Sequence, residues 1–252
     1  MLYAGGCAQF DQEISPWLAL HVFSATFFTY NLHRSLSDIS IDQINGLRYH
    51  LVKNNAGYTN TSLIISGLIA FVSFLLISRS AQFALLILGV ISIGYVLPLV
   101  LKKRLRDLGN LKIILISMVW ATIPILGIYH QTDIFTLLLF WAEHAFFIFA
   151  LTIPFDIRDQ HLDTKSRISN LANSMGVHRI KKLMMFILIL SLLCAVFLFG
   201  TQLYSWQKFF VIVILLMYLF SVSARAEVVK GEWFYLFVLD GLIMVKGAIN
   251  FL

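Results

Sequence analysis

Eight stretches of this 252-residue chain are long apolar runs, at 14–30, 61–77, 83–101, 113–129, 134–155, 183–200, 209–224 and 233–252. A helix rises about 1.5 Å per residue, so roughly 20 mainly apolar residues cross the hydrocarbon core of a bilayer. In lipid every backbone N–H and C=O needs a partner; a helix supplies these within one segment, whereas a barrel requires strands of alternating polarity. The runs are continuous and do not alternate. The sequence therefore predicts an all-α fold, a polytopic membrane helical bundle of about eight transmembrane helices, as a single multi-pass membrane domain over residues 1–252. Composition agrees: 59% of residues are hydrophobic and 13% charged, more hydrocarbon than a soluble domain of this length conceals. Residues 1–13 contain no Lys or Arg, so they lack the basic start of a secretory signal and no cleavage is expected. Cys7 and Cys194 are too few and too far apart to form a disulfide framework or a metal site.

Taken alternately, the connections between these runs place 16 of the 19 Lys and Arg residues on one side. The positive-inside rule makes that side cytoplasmic and puts both termini outside, with the plasma (inner) membrane as the expected location. The same bias accounts for the net charge of +6, and no nucleic-acid partner is implied. Three long polar loops fall on the cytoplasmic side. They are 31–60, with Arg34, Asp38 and Asp42; 102–112, with Lys102, Lys103, Arg104, Arg106 and Lys112; and 156–182. A functional site is expected on that side.

The third loop opens on "PFDIRDQHLD", directly after the apolar run 134–155. On a helix advancing 100° per residue, Asp156, Asp159 and Asp163 share a stripe about 60° wide. Three carboxylates on one face repel each other unless a cation lies among them. Oxygen donors of this kind suit Mg²⁺, which takes one or two carboxylates and completes its shell with water and phosphate oxygens. Arg158 and Lys165 flank the stripe, and acids plus bases of this sort clamp a diphosphate. The plainer alternative is a solvated helix end.

The stretch "DIRDQHLDTKSRISNLANSMG" resembles the second aspartate-rich motif of the UbiA superfamily of intramembrane prenyltransferases, Asp-x-x-Asp-x-x-x-Asp with a closing glycine. Asp156, Asp159 and Asp163 match its acids, Ile168 and Leu171 its apolar anchors and Gly176 its glycine. Tyr95, Pro98, Lys102 and Lys103 resemble the family's Tyr and Pro followed by basic residues. The family's first motif, Asn-Asp-x-x-Asp-x-x-x-Asp, corresponds to "TYNLHRSLSD": Asn31 fits, but Leu32, Ser35 and Ile39 stand at the acid positions and Asp38 is one residue out of register. Asn31, Arg34 and Asp38 lie on one helical face at i, i+3 and i+7. There, Asn31 and Asp38 would donate oxygens and Arg34 would replace one metal's charge. The family usually has nine spans, so the chain is expected to lack the opening one.

The resemblance implies an Mg²⁺-dependent prenyltransferase that moves a prenyl group from a polyprenyl diphosphate to a lipophilic acceptor, an aromatic compound or quinone precursor being the family's example. It makes Asp156, Asp159 and Asp163 the metal-holding catalytic residues. Asn31, Arg34, Asp38, Tyr95, Lys102, Lys103, Arg158 and Lys165 are the substrate-binding set. The alternative is a non-catalytic UbiA-like membrane protein that binds an isoprenoid lipid or a partner protein. A transporter using Glu143, His144 and Asp240 as a proton path lacks the paired, Gly/Pro-broken helices such proteins carry. Glu143 and His144 are expected to point into the bundle as interhelical packing groups, His21 to be a satisfied packing residue, and Lys246 to snorkel to the interface near the chain end.

Overall fold

The computed structural model describes residues 1–36, 56–98, 104–107, 111–126, 128, 133–165, 170–224 and 233–252. The described residues are helical throughout their regular structure and divide into two compact units, Ile14–Arg104 and Met1–Glu13 with Leu105–Leu252.

In the first unit, helices α2 (Pro16–Leu36), α3 (Ala56–Leu75) and α4 (Arg79–Val96) follow the first three predicted spans. Proline opens α2, where its missing N–H costs nothing. The expectation for His21 holds: its Nδ1 lies 2.9 Å from the Ala70 carbonyl of α3, and its ring packs on Phe74.

The second unit begins with a helix the sequence analysis did not anticipate, α1 (Leu2–Gln9). Its residues Leu2, Tyr3, Gly5, Gly6 and Cys7 are buried. A Cβ on Gly6 would overlap the Pro124 carbonyl, so only glycine permits that approach. Next come α5 (Leu111–Thr122), continued by a 3₁₀ turn over Ile123–Ile125, then α6 (Ile134–Lys165), α7 (Leu171–Met175), α8 (Val177–Gly200) and α9 (Trp206–Ala224). A π-helical turn, Phe234–Leu239, leads into α10 (Asp240–Ile249).

Five helices among the described residues are long and apolar enough to cross a bilayer, in the spans Gly57–Leu75, Arg79–Val96, Ile134–Gln160, Val177–Gly200 and Trp206–Ser223. Large apolar side chains line their outer faces at helical spacing, as in Phe210, Ile214 and Met217, which are 62%, 59% and 67% exposed. Water would not tolerate such a surface and lipid requires it, so the chain is an integral membrane protein. Every predicted span overlaps a helical segment. The largest boundary difference is at α6, which runs ten residues past the predicted end at 155. The apolar run stops where lipid stops, but the backbone hydrogen bonds continue into the polar segment. At 32 residues, α6 is about 48 Å long. It carries Pro154 internally.

The core of the second unit packs α6 against α5, α8 and α9, with Phe140, Phe147, Leu151, Met184, Leu219 and Leu239 among its buried members. Polar groups are embedded in it. Glu143 and Lys246 are 0% and 1% exposed, and the lysine Nζ donates to Glu143 Oε1 at 2.6 Å. Lys246 therefore does not snorkel: its carbon stem would have to pass through a packed core, whereas a buried carboxylate lies within reach. The Ser191 hydroxyl of α8 donates to the Glu143 carbonyl at 3.1 Å, and the Tyr204 hydroxyl lies 3.4 Å from Oε2. Tyr204 sits in the connection after α8. Burial, followed by the Glu143 charge, pushes its phenol well above the ordinary value, so it stays a donor. His144 Nδ1 faces Glu143 Oε2 at 3.1 Å and the Phe140 carbonyl at 2.9 Å; both neighbours only accept, so Nδ1 carries the proton. Glu143 thus acts as the interhelical packing group expected of it, while the polar contacts of His144, buried beside it, lie within α6. Asp240, by contrast, is exposed in the first turn of α10, where the helix dipole favours an acid.

Lys208, also buried, bonds Gln9 of α1 and the Asn250 carbonyl at 3.3 Å. A cation there satisfies the carbonyl end of α10 and ties it to α1 and α9.

Removing one member of a buried ion pair strands the other charge, at about 3–5 kcal/mol, while replacing both by apolar groups is close to neutral. Glu143→Ala is therefore expected to lower the thermal unfolding midpoint in detergent sharply. The double variant Glu143→Leu/Lys246→Met should recover most of the loss. A single variant as stable as the parent would remove the pair from the account of the core.

Candidate functional site

The backbone of α6 is helical through Asp156, Asp159 and Asp163 to Lys165, so the helical spacing assumed for the three acids is the one the chain adopts. Asp156 is 1% exposed, although it begins the polar segment. Lys112, in the first turn of α5, donates to its Oδ1 at 2.8 Å. The Leu171 N–H donates to its Oδ2 at 3.2 Å. Asn170 is fully buried; its Oδ1 caps α7 by accepting the Asn173 N–H at 2.6 Å, and its Nδ2 reaches the Asp156 carbonyl at 3.4 Å. An Asn at the N-cap leaves the backbone extended and the next N–H groups pointing outward, and one of these finds the Asp156 carboxylate.

Gly176 ends this short segment with φ 79° and ψ 153°, a region that only glycine occupies without strain. The residue matched to the motif's closing glycine thus has a backbone reason to be glycine. It lets α7 stop and α8 start at once. Leu171 is buried in the core, as expected of an apolar anchor; Ile168 lies outside the described residues.

Asp159, one turn on, is held by its neighbour: Arg158 Nε donates to Oδ1 at 2.6 Å and Nη2 to Oδ2 at 3.1 Å. The same guanidinium lies 4.6 Å above the Tyr235 ring and 5.3 Å from that of Phe155. Such stacking adds to the ion pair and fixes the plane of the guanidinium. Tyr235 belongs to the π-helical turn and is fully buried.

The other sequence-predicted residues stand as follows. Arg34 and Lys165 lie on the helical backbone of α2 and α6, and their side chains, like that of Asp163, fall outside the described residues. Asp38, Lys102 and Lys103 fall outside them entirely. In the first unit, Asn31 donates to the Phe27 carbonyl one turn earlier at 2.9 Å, and the Tyr95 ring lies 6.3 Å from that of His33. Sequence reasoning did not identify Asn170 or Tyr235, and it placed Lys112 in a basic loop without its acidic partner.

Among the described residues no three His, Cys, Asp or Glu side chains gather into a metal cluster. The donor chemistry nevertheless fits a hard cation: both described acids offer carboxylate oxygens. Each is currently balanced by a basic side chain, which marks the place as one where positive charge is favoured.

A bundle of membrane-crossing helices with an acid-bearing, basic-flanked helix end defines a class of polytopic membrane protein. More specifically, a profile of the UbiA prenyltransferase family matches residues 1–238, and the chain belongs to that family. No curated protein matches it in sequence. The apo structure of a UbiA homolog from Aeropyrum pernix K1 is similar, with TM-score 0.68 and 12% identity over 99% of this chain and 91% of that one. So is a UbiA homolog from Archaeoglobus fulgidus bound to GPP and Mg²⁺, with TM-score 0.65 and 16% identity over 99% and 93%. Digeranylgeranylglyceryl phosphate synthase matches with TM-score 0.62 and 17% identity over 98% and 89%. At these identities the likeness is one of fold.

Replacing Gly176 by Ala is expected to cost about 1–3 kcal/mol, because an L residue is strained at this φ and ψ. Thermal unfolding of the purified protein would register it as a lowered midpoint. An unchanged midpoint would mean that the turn reorganises freely.

Proposed function

We propose that this protein is an intramembrane prenyltransferase that moves a prenyl group from a polyprenyl diphosphate to a lipophilic acceptor, with Asp156, Asp159 and Asp163 holding Mg²⁺. The observation that carries the reading is the pair Asp156 and Asp159 on successive turns at the polar end of α6, each already matched to a cation, in a chain of the UbiA family. The GPP and Mg²⁺ in the Archaeoglobus fulgidus homolog support the choice of donor and metal.

When bound, the metal supplies Lewis-acid charge to the departing diphosphate. The chain's own residues do the rest. Asp156, Asp159 and Asp163 orient the cation through hard oxygen donors. Arg158, Lys102, Lys103 and Lys165 balance the anion as the C–O bond breaks. Asn31, Arg34, Asp38 and Tyr95 complete the diphosphate-binding set, Arg34 giving positive charge where the family motif has acids. Apolar helix faces keep water from the allylic cation until the acceptor captures it. The acceptor is a hydrophobic molecule dissolved in the bilayer, an aromatic or quinone precursor being the first to test. We place the reaction at the cytoplasmic face of the plasma membrane, with both termini outside, from the distribution of Lys and Arg.

The test is release of diphosphate from labelled geranylgeranyl or farnesyl diphosphate by the purified protein, with Mg²⁺ and a lipid extract as acceptor source. Asp156→Ala and Asp159→Ala are each expected to slow it on the order of a hundredfold or more, the loss typical of removing charge stabilisation at a reacting centre. Chelation should do the same. Equal background in the parent and both variants would leave the alternative standing, a non-catalytic family member that binds an isoprenoid lipid or a partner protein. The residues Leu32, Ser35 and Ile39 at the first motif's acid positions are what keep that alternative in view.

A further inference from the structure

Arg158 and Asp159 are neighbours in sequence, and adjacent residues on a helix point about 100° apart. Their pairing is therefore not one that α6 provides by itself. The guanidinium lies sideways along the helix, which places Nε 2.6 Å from Oδ1 and Nη2 3.1 Å from Oδ2. It rests there on two rings, Phe155 from the preceding turn of α6 and Tyr235 from the π-helical turn. The rings also touch each other, with centroids 5.5 Å apart. Phe155 belongs to the same helix as Arg158; Tyr235 ties the guanidinium to a second element. Tyr235 is the nearer ring and is fully buried, whereas the side chains of Arg158 and Asp159 are 25% and 26% exposed. An ion pair that meets water gains little from charge alone, and a ring face anchored in the core adds an attraction to it. A π-helical turn is rare and often falls at a functional site. Here it carries Tyr235 and Leu239 into the core while Phe237 stays exposed.

We propose that Tyr235 is a positioning residue for the acidic stripe: its ring seats the Arg158 guanidinium, which in turn holds the Asp159 carboxylate in one orientation toward a divalent cation. The proposal rests on the assignment of the stripe to metal under Proposed function. A carboxylate has about four lone-pair sites on its two oxygens, so an oxygen that accepts from an arginine keeps a second lone pair for a metal. Carboxylates that bind metal are commonly oriented by such an outer hydrogen bond, and losing the outer partner weakens metal binding by about 10–100-fold. Tyr235 acts one step further out, through a ring face, so the smaller end of that range is expected. Without the ring the charge of Arg158 remains and its seat does not.

The measurement is Mn²⁺ binding to the purified, detergent-solubilised full chain without substrate, followed by the loss of the free-ion electron paramagnetic resonance signal. Tyr235→Phe keeps a ring face and is expected to bind Mn²⁺ as the parent does. Tyr235→Leu keeps an apolar side chain without a ring and is expected to bind about tenfold more weakly. Neither changes the charge at the site, so their difference reads the ring. Tyr235→Met is a second ringless variant with the same expected loss, and size-exclusion chromatography verifies that each variant folds. In an Arg158→Gln background Tyr235→Phe and Tyr235→Leu should bind alike, because a ring that acts through the guanidinium has nothing left to seat. A role in packing alone would carry the leucine deficit unchanged into that background. Three results each overturn the positioning role and leave the metal assignment intact: ringless variants that bind as tightly as the parent or more tightly, an equal deficit in Tyr235→Phe, or a leucine deficit that survives Arg158→Gln. No saturable Mn²⁺ binding by the parent overturns the metal assignment and the positioning role together.

Discussion

A peptide group in hydrocarbon has no water to bond to, and nearly every feature of this chain follows from that. Each apolar run closes its own hydrogen bonds as a helix, and the helices turn their Phe, Leu and Ile outward as readily as inward, since lipid accepts either face. Greasiness therefore cannot select which helix packs on which. That selection falls to small residues and polar groups. Gly6 lets α1 press on the Pro124 carbonyl, while Glu143 joins α6 to α8 and α10 through Ser191 and Lys246. In a medium without competing water such contacts fix register, though each contributes modestly by itself.

Charge is handled in opposite ways along α6. Glu143 is enclosed by donors from its own helix, from two others and from a connection, in a group that neither exchanges with solvent nor lies near the acidic stripe. Thirteen residues further on, about 20 Å along the axis, Asp156 is equally buried but neutralised by a lysine that reaches water. The first arrangement suits a permanent joint. The second leaves the counter-ion at the edge of solvent.

What the sequence disclosed and what it hid divide by distance along the chain. The spans were readable because twenty neighbouring residues report the same solvent, and the helical stripe of Asp156, Asp159 and Asp163 because its period is local. Gly176 was readable through motif resemblance, and its positive φ supplies the reason. Contacts between distant residues were not: Lys246 meets Glu143 across 103 positions and Lys112 meets Asp156 across 44. A lysine near a chain end reads as an interfacial residue unless its partner is known. Helix α1 was overlooked because eight residues are too few for a span, and the clue it did offer, ten residues without a single charge, is weak. Tyr235 gave no signal, because its role depends on a π-helical turn that no local pattern announces.

Pro154 lies two residues before Asp156 within α6. Having no N–H, it leaves the carbonyl of Ala150 without its usual α-helical donor. The rod thus lacks one backbone bond just before the acids, where Ile153 and Ile157 are both buried in the core. What holds the first carboxylate in place is therefore less the backbone ladder behind it than its enclosure by Lys112, the Leu171 N–H and the apolar side chains around Ile157.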